Sequence, residues 1–154
     1  CMTSLCWMIG RRSMKMNSAT KRVRAVIIES GKILLMKRVK SQDKYWAAPG
    51  GAIDPGESRE QALIRECQEE LGVDVEVGEL FLDIISEKPA TKGQPEFFYV
   101  CKILSGEVGT GQGPEYQPDA GYTGTYQPEW RSLDELQTLE LRPRQLKERL
   151  VIRK

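Results

Sequence analysis

The chain has 154 residues, 40% hydrophobic and 29% charged, with 23 Lys and Arg against 22 Asp and Glu and no histidine. Without an imidazole, Ser-His-Asp and Cys-His nucleophiles, His-ligated zinc and a histidine general base are excluded, so any chemistry rests on carboxylates, lysines, thiols or tyrosines. A net charge of +1 supplies no global field for polymeric nucleic acid or an anionic membrane, and any polyanion site has to be local.

Residues 1–20 put the apolar run from Leu5 to Ile9 ahead of Arg11 and Arg12, the reverse of the order in a secretory signal. They read as a disordered or appended leader, which leaves 21–154 as a single domain of ordinary length. Cys1, Cys6, Cys67 and Cys101 form no CxxC pair. Neither a disulfide framework nor a zinc ribbon is indicated, and a reducing cytoplasm is the expected home.

RVRAVIIE and KILLMKRV flank Ser30-Gly31 and predict a hairpin. YWAAPGGAIDPGES is punctuated by proline and glycine and predicts a shaped loop. Ser58 to Leu71 lacks Gly and Pro, is rich in strong helix formers and is followed by Gly72, the pattern of a capped helix. VDVEV, LFLDIISE and EFFYVCKIL predict strands, the last two joined by the turn KPATKG. Residues 105–125, dominated by Gly, Pro, Gln and Tyr, predict a long loop. YQPEWRSL predicts a last strand and Ser132-Leu-Asp-Glu135 a capping box that opens a short helix. A second helix from about Pro143 turns Leu146, Leu150 and Val151 inward. This order is an α/β mixture.

The first helix gathers its acids. Glu66, Glu69 and Glu70 stand at i, i+3 and i+4 and share one side, beside an apolar arc of Leu63, Ile64, Cys67 and Leu71. A solvated acidic face is the ordinary explanation of such a run. Two features count against it. The acids lie near the helix C-terminus, against the macrodipole, and the preceding Pro49-Gly50-Gly51 offers backbone carbonyls at close approach. Carboxylates and carbonyls together make a hard-oxygen site suited to Mg²⁺ or Mn²⁺.

Gly51, Glu57, Arg65-Glu66, Glu69-Glu70 and Gly72-Val73, with five residues between Gly51 and Glu57 and seven between Glu57 and Arg65, resemble the Nudix box of the Nudix (MutT-like) hydrolases. All seven fixed positions, Gly51, Glu57, Arg65, Glu66, Glu69, Glu70 and Gly72, are filled. Cys67 stands where the family usually has a larger aliphatic residue, and cysteine serves as a small hydrophobe there. The likeness extends over the preceding hairpin, the Tyr45-Trp46 lead-in and the later Tyr126-Gln-Pro-Glu-Trp130 segment.

The resemblance implies a Nudix fold, an α/β/α sandwich with a mixed β-sheet between helices. It implies a pyrophosphohydrolase that cleaves the diphosphate linkage of a nucleoside diphosphate derivative by attack of water activated by Mg²⁺, with Mn²⁺ as a substitute. The derivative is a nucleotide sugar such as ADP-ribose or a nucleoside triphosphate. Glu66, Glu69 and Glu70 are the expected metal ligands, joined by the Gly50 carbonyl, with Glu66 the first choice to double as base. Glu57 and Arg65 are expected to pair and hold the loop against the helix, although an exposed pair alone is worth at most about 1 kcal/mol.

Glu115 is the first candidate for a further acid ligand, ahead of Glu107 and Asp119. Substrate contacts lie outside the box. Arg22 and Arg24 alternate on the first strand and could meet phosphates or a base edge. Trp46 and Tyr116, with Tyr45, Phe98 and Tyr122, are candidates for stacking, and each is equally at home in core or loop packing. Pro89, sixteen residues after Val73, resembles the ADP-ribose pyrophosphatase subgroup. Family members are often dimers, which makes a homodimer one expectation. The alternative is a catalytically silent nucleotide-binding or sensing module of the same fold, against which the intact box weighs.

Overall fold

A computed structural model describes residues 20–111 and 125–153. Eight strands and two helices follow in the order β1 (Arg22–Glu29), β2 (Lys32–Lys40), β3 (Asp43–Ala47), β4 (Gly50–Ala52), α1 (Arg59–Leu71), β5 (Val73–Ile85), β6 (Pro95–Gly106), β7 (Thr125–Ser132), β8 (Leu141–Arg142) and α2 (Arg144–Arg153).

The β1–β2 hairpin turns on Ser30 and Gly31, both at positive φ (52° and 76°), the two-residue geometry that matches strand twist. Only Ile28↔Ile33 and Glu29↔Lys32 pair across it. Beyond them the strands part. β1 runs parallel to β6 and antiparallel to β4, while β2 lies between β3 and β7. The mixed sheet, ordered β5-β6-β1-β2-β3-β8 with β4 on β1 and β7 on β2, therefore opens a gap between the diverging halves of its central hairpin.

Period-two alternation divides each central strand between two cores. Val23, Ala25 and Ile27 of β1 join Leu34 and Met36 of β2 beneath α1, which contributes Ala62, Leu63, Cys67 and Leu71. Val26, Ile33, Leu35 and Phe98 face the other way and meet Leu146 and Leu150 of α2. The result is an α/β/α sandwich. Leu63 and Leu71 are fully buried, each worth about 1.5–3 kcal/mol. In α1 the Ser58 hydroxyl accepts from Gln61 N–H, the Gln61 side chain returns to the Ser58 backbone, and Gly72 closes the helix at φ 80°.

Several expectations are corrected. The proline- and glycine-rich lead-in is not all loop, because Tyr45 to Ala47 pair with β2 and Gly50 to Ala52 pair with β1. VDVEV and LFLDIISE are one bulged strand, since β6 pairs along its whole length. The Ser132 capping box is present but opens only a 3₁₀ turn, Leu133–Glu135. The strand after it, β8, was not foreseen; it pairs only through Leu141 and Arg142. Residues 1–19, covering nearly all of the expected leader, and 112–124 lie outside the described residues.

Candidate active site

A cleft of about 350 Å³ occupies the gap where β1 and β2 diverge, with α1 at one side and the turn around Lys88 to Thr91 at the other. Its α1 wall is acidic. Glu66, Glu69 and Glu70 all line it. Glu70 is only 6% exposed, and its Oε1 accepts a 2.9 Å hydrogen bond from the Gly50 amide. Gly50 sits at φ 148°, and a Cβ there would collide with the Val23 carbonyl oxygen. At Gly51 a Cβ would lie 2.6 Å from the Glu66 carboxylate, so the absent side chain is the space in which that carboxylate sits.

Three acids on one helix side need a cation, and the chain supplies one internally. Arg65 Nε donates to Glu57 Oε2 at 2.7 Å and Nη2 to Glu57 Oε1 and the Ala52 carbonyl, each at 3.0 Å. Its Nη1 donates to Glu66 Oε2 at 3.0 Å and to Glu69 Oε1 at 3.3 Å. The forked guanidinium thus ties the loop before α1 to the helix and offsets part of the acidic charge. The hydrogen bond from Arg65 holds the Glu57 carboxyl below the usual range.

The facing wall is basic. Arg22 and Arg24 of β1, Arg38 of β2 and Lys88 line it, with Tyr45 and Tyr126. Arg38 stacks on the Tyr126 ring, 3.9 Å from its centroid, and Arg142 lies 4.2 Å over Tyr45. Arg24 is bound inward: Nε donates to Glu96 Oε2 at 2.7 Å, and Nη1 to the carbonyls of Ala48 at 3.1 Å and Gly50 at 3.4 Å. Burial disfavours charge on Glu96, but the charge and hydrogen bond of Arg24 outweigh it and keep that carboxyl low. Burial, with the positive charge of Arg24, pulls Lys88 down to about 8.

The structure therefore brings Arg22, Arg24, Gly50, Glu66, Glu69 and Glu70 to one cleft, with Glu57 behind it through Arg65. Trp46 is not part of it. Alternation along β3 turns Tyr45 and Ala47 to the cleft and Trp46 to the second core, where its Nε1 donates to Glu129 at 2.8 Å. Phe98 is likewise fully buried. Glu107 is exposed and does not line the cleft. Glu115, Tyr116, Asp119 and Tyr122 lie outside the described residues. Pro89 opens a 3₁₀ turn whose neighbours Lys88, Ala90 and Thr91 face the cleft. Sequence reasoning missed Arg38, Lys88, Glu96 and Tyr126 as cleft or near-cleft residues.

The donors on the acidic wall are all oxygens, the chemistry of a Mg²⁺ or Mn²⁺ site, and the missing Cβ of Gly51 leaves room for the Glu66 carboxylate. As the side chains stand, no three acidic, Cys or His groups among the described residues form a closed cage, and Arg65 draws one oxygen each of Glu66 and Glu69 toward itself. The donor set fits a hard divalent ion that competes with Arg65 for these carboxylates.

A curled mixed sheet between two helices, with acidic side chains of one helix and basic side chains of the strands lining one cleft, defines an α/β protein. Residues 19–150 match the NUDIX domain, and the chain belongs to the Nudix family. Among its relatives, it is 48% identical over 59 residues to the CTP pyrophosphohydrolase of Escherichia coli K12, covering 37% of this chain and 44% of that protein. It is 39% identical over 89 residues to the 8-oxo-dGTP diphosphatase of Haemophilus influenzae, covering 56% of this chain and 65% of that one. The chain thus spans less than two-thirds of these relatives. The solution structure of the Escherichia coli ORF135 protein superposes with a TM-score of 0.63 at 28% identity, over 92% of both chains.

No helix among the described residues is long and apolar enough to cross a membrane.

Proposed function

We propose that this cleft hydrolyses a phosphoanhydride bond of a nucleotide derivative with the help of a divalent cation, and that nucleoside triphosphates are its first substrate class. The observation that carries the reading is the convergence on one cleft of three glutamates of α1 with Arg22, Arg38 and Lys88. Named relatives that act on CTP and 8-oxo-dGTP support the choice of triphosphates.

Glu66, Glu69, Glu70 and the Gly50 carbonyl would hold Mg²⁺. When bound, the ion supplies charge neutralisation at the phosphoryl oxygens and lowers the pKa of the attacking water. The remaining work belongs to the chain. Arg22, Arg38 and Lys88 bind the phosphates, and Tyr45 and Tyr126 offer flat faces to the base. Glu66 accepts the proton of the water as its oxygen bonds to phosphorus, and the anhydride P–O bond breaks with its electron pair leaving on the departing phosphate. Arg65 keeps the carboxylates from repelling one another before substrate arrives. Arg24 turns its Nε to Glu96 and its Nη1 to the Ala48 and Gly50 carbonyls, so its first part is to brace the backbone beside the cleft.

Two thiols among the described residues, Cys67 and Cys101, are free and buried, and burial pushes Cys101 up to about 12, which makes it an unreactive core residue. Free thiols support a reducing, cytoplasmic setting. The test is a panel of nucleoside triphosphates, oxidised deoxynucleotides, dinucleoside polyphosphates and ADP-ribose with Mg²⁺ or Mn²⁺, scored for phosphate-containing products. Turnover of triphosphates above ADP-ribose is expected. Turnover of none would leave a nucleotide-sensing module.

A further inference from the structure

Glu96 stands where its strand calls for an apolar side chain. It shares a row of β6 with Phe98 and Val100, which pack in the second core, and it is 2% exposed. The adjacent row of β1 carries Arg22 opposite Glu96 and Arg24 opposite Phe98. Arg24 is itself only 13% exposed, at 2.7 Å from the Glu96 carboxylate. Taking two charges out of water is costly, and apolar replacements of such pairs are often no less stable. Stability alone is therefore a poor reason for this pair.

Its position offers another reason. Arg24 Nη1 reaches the carbonyls of Ala48 and Gly50, on either side of Pro49, whose own carbonyl accepts from Ala25 N–H at 2.8 Å. The next contact outward is the Gly50 amide on Glu70. One guanidinium thus braces the backbone that carries the Gly50 oxygen and helps orient Glu70. Left uncompensated, that guanidinium would also repel a cation held there. Glu96 is the carboxylate hydrogen-bonded to it, and the charges of Lys88 and Arg22 act on the same carboxylate.

We propose that Glu96 is a positioning and charge-balancing residue: it fixes the Arg24 guanidinium under the Ala48–Gly51 backbone and cancels its charge, so that a divalent cation can occupy the cleft beside it. The proposal rests on the cation-dependent reading above, extending it to a residue outside the acidic helix.

The test is Mn²⁺ binding to the full chain, by calorimetry and by the loss of the free Mn²⁺ resonance signal, together with steady-state kinetics and thermal melting. Glu96→Gln keeps the side-chain shape and removes the charge. Its Mn²⁺ Kd rises on the order of tenfold, its KM for a nucleoside triphosphate does not rise, because the basic wall has gained net charge, and excess Mn²⁺ restores kcat. In the double variant Arg24→Met with Glu96→Met, both charges leave together. Mn²⁺ affinity recovers part of the way from that of Glu96→Gln, because the uncompensated charge is gone, while kcat stays low at saturating Mn²⁺ because the Ala48 and Gly50 carbonyls have lost their brace.

A Glu96→Gln protein that melts lower but binds Mn²⁺ as wild type does would overturn the proposal, leaving the pair a structural one. If Glu96→Gln does not fold, the double variant decides, and a wild-type kcat in it is the contrary result. Wild-type protein with no saturable Mn²⁺ binding would instead remove the cation-dependent reading itself, and this inference with it.

Discussion

The acidic wall of the cleft comes from one helix of thirteen consecutive residues, whereas the basic wall is assembled from β1, β2 and the turn before β6. The two are also stabilised differently. On the acidic side one partly exposed guanidinium, Arg65, serves Glu57, Glu66 and Glu69 together. On the basic side Arg24 is buried against a single buried acid. Local, shared compensation allows the acids to be released one at a time to an incoming cation. Long-range, paired compensation fixes the strand wall before any ligand arrives. In the proposed reaction, a polyphosphate with its cation would lie between a wall that yields and a wall that does not.

The largest break in this contrast is to take one charge from the acidic wall. Glu70→Gln keeps an acceptor for the Gly50 amide, so the fold should persist by thermal melting, while Mg²⁺-dependent hydrolysis falls about a hundredfold or more. Next comes crowding without charge change. Gly51→Ala drives a methyl group into the Glu66 carboxylate, and kcat/KM is expected to drop about tenfold to a hundredfold through misplacement alone. Urea melts should show that Arg65→Lys, which cannot keep the forked contacts to Glu57 and Ala52, loses about 1–2 kcal/mol.

The smallest effect sharpens the other wall. Lys88, at about 8, is charged below that pH and neutral above it, so the KM for a polyphosphate rises between pH 7 and pH 9. Lys88→Met should raise KM about threefold at pH 7 and flatten its dependence over the same interval. A variant whose KM still climbs from pH 7 to pH 9 would assign the titration to another group.

The same contrast explains what could be read from residues in order. Glu66, Glu69 and Glu70 meet because a helix brings i, i+3 and i+4 together, and Ser58 and Gly72 announce where it begins and ends; nothing distant is needed. The sandwich came from the resemblance carried by the box and its flanks; the order of hairpin, helix, strands and helices agreed with it but by itself indicated only an α/β mixture. Arg38 and Lys88 carry no such mark. They meet Arg22 only because β1 leaves β2 after two pairs and takes β6 as its parallel neighbour, a choice made by sheet packing. Trp46 could not be assigned between stacking and core packing because its face depends on β3 pairing with β2, which the Pro49-Gly50-Gly51 punctuation concealed. Glu96 had a faint signal, an acid in the row of Phe98 and Val100, but which row faces inward follows from the strand pairing alone.

The division of labour between the walls is tested most directly by anomalous scattering from crystals of the protein soaked with Mn²⁺ and a nonhydrolysable nucleoside triphosphate. The account predicts a manganese peak among Glu66, Glu69, Glu70 and the Gly50 carbonyl, with phosphate density on Arg22, Arg38 and Lys88 and Arg24 still on Glu96. Manganese bound away from α1, or phosphates seated away from the basic wall, would contradict it.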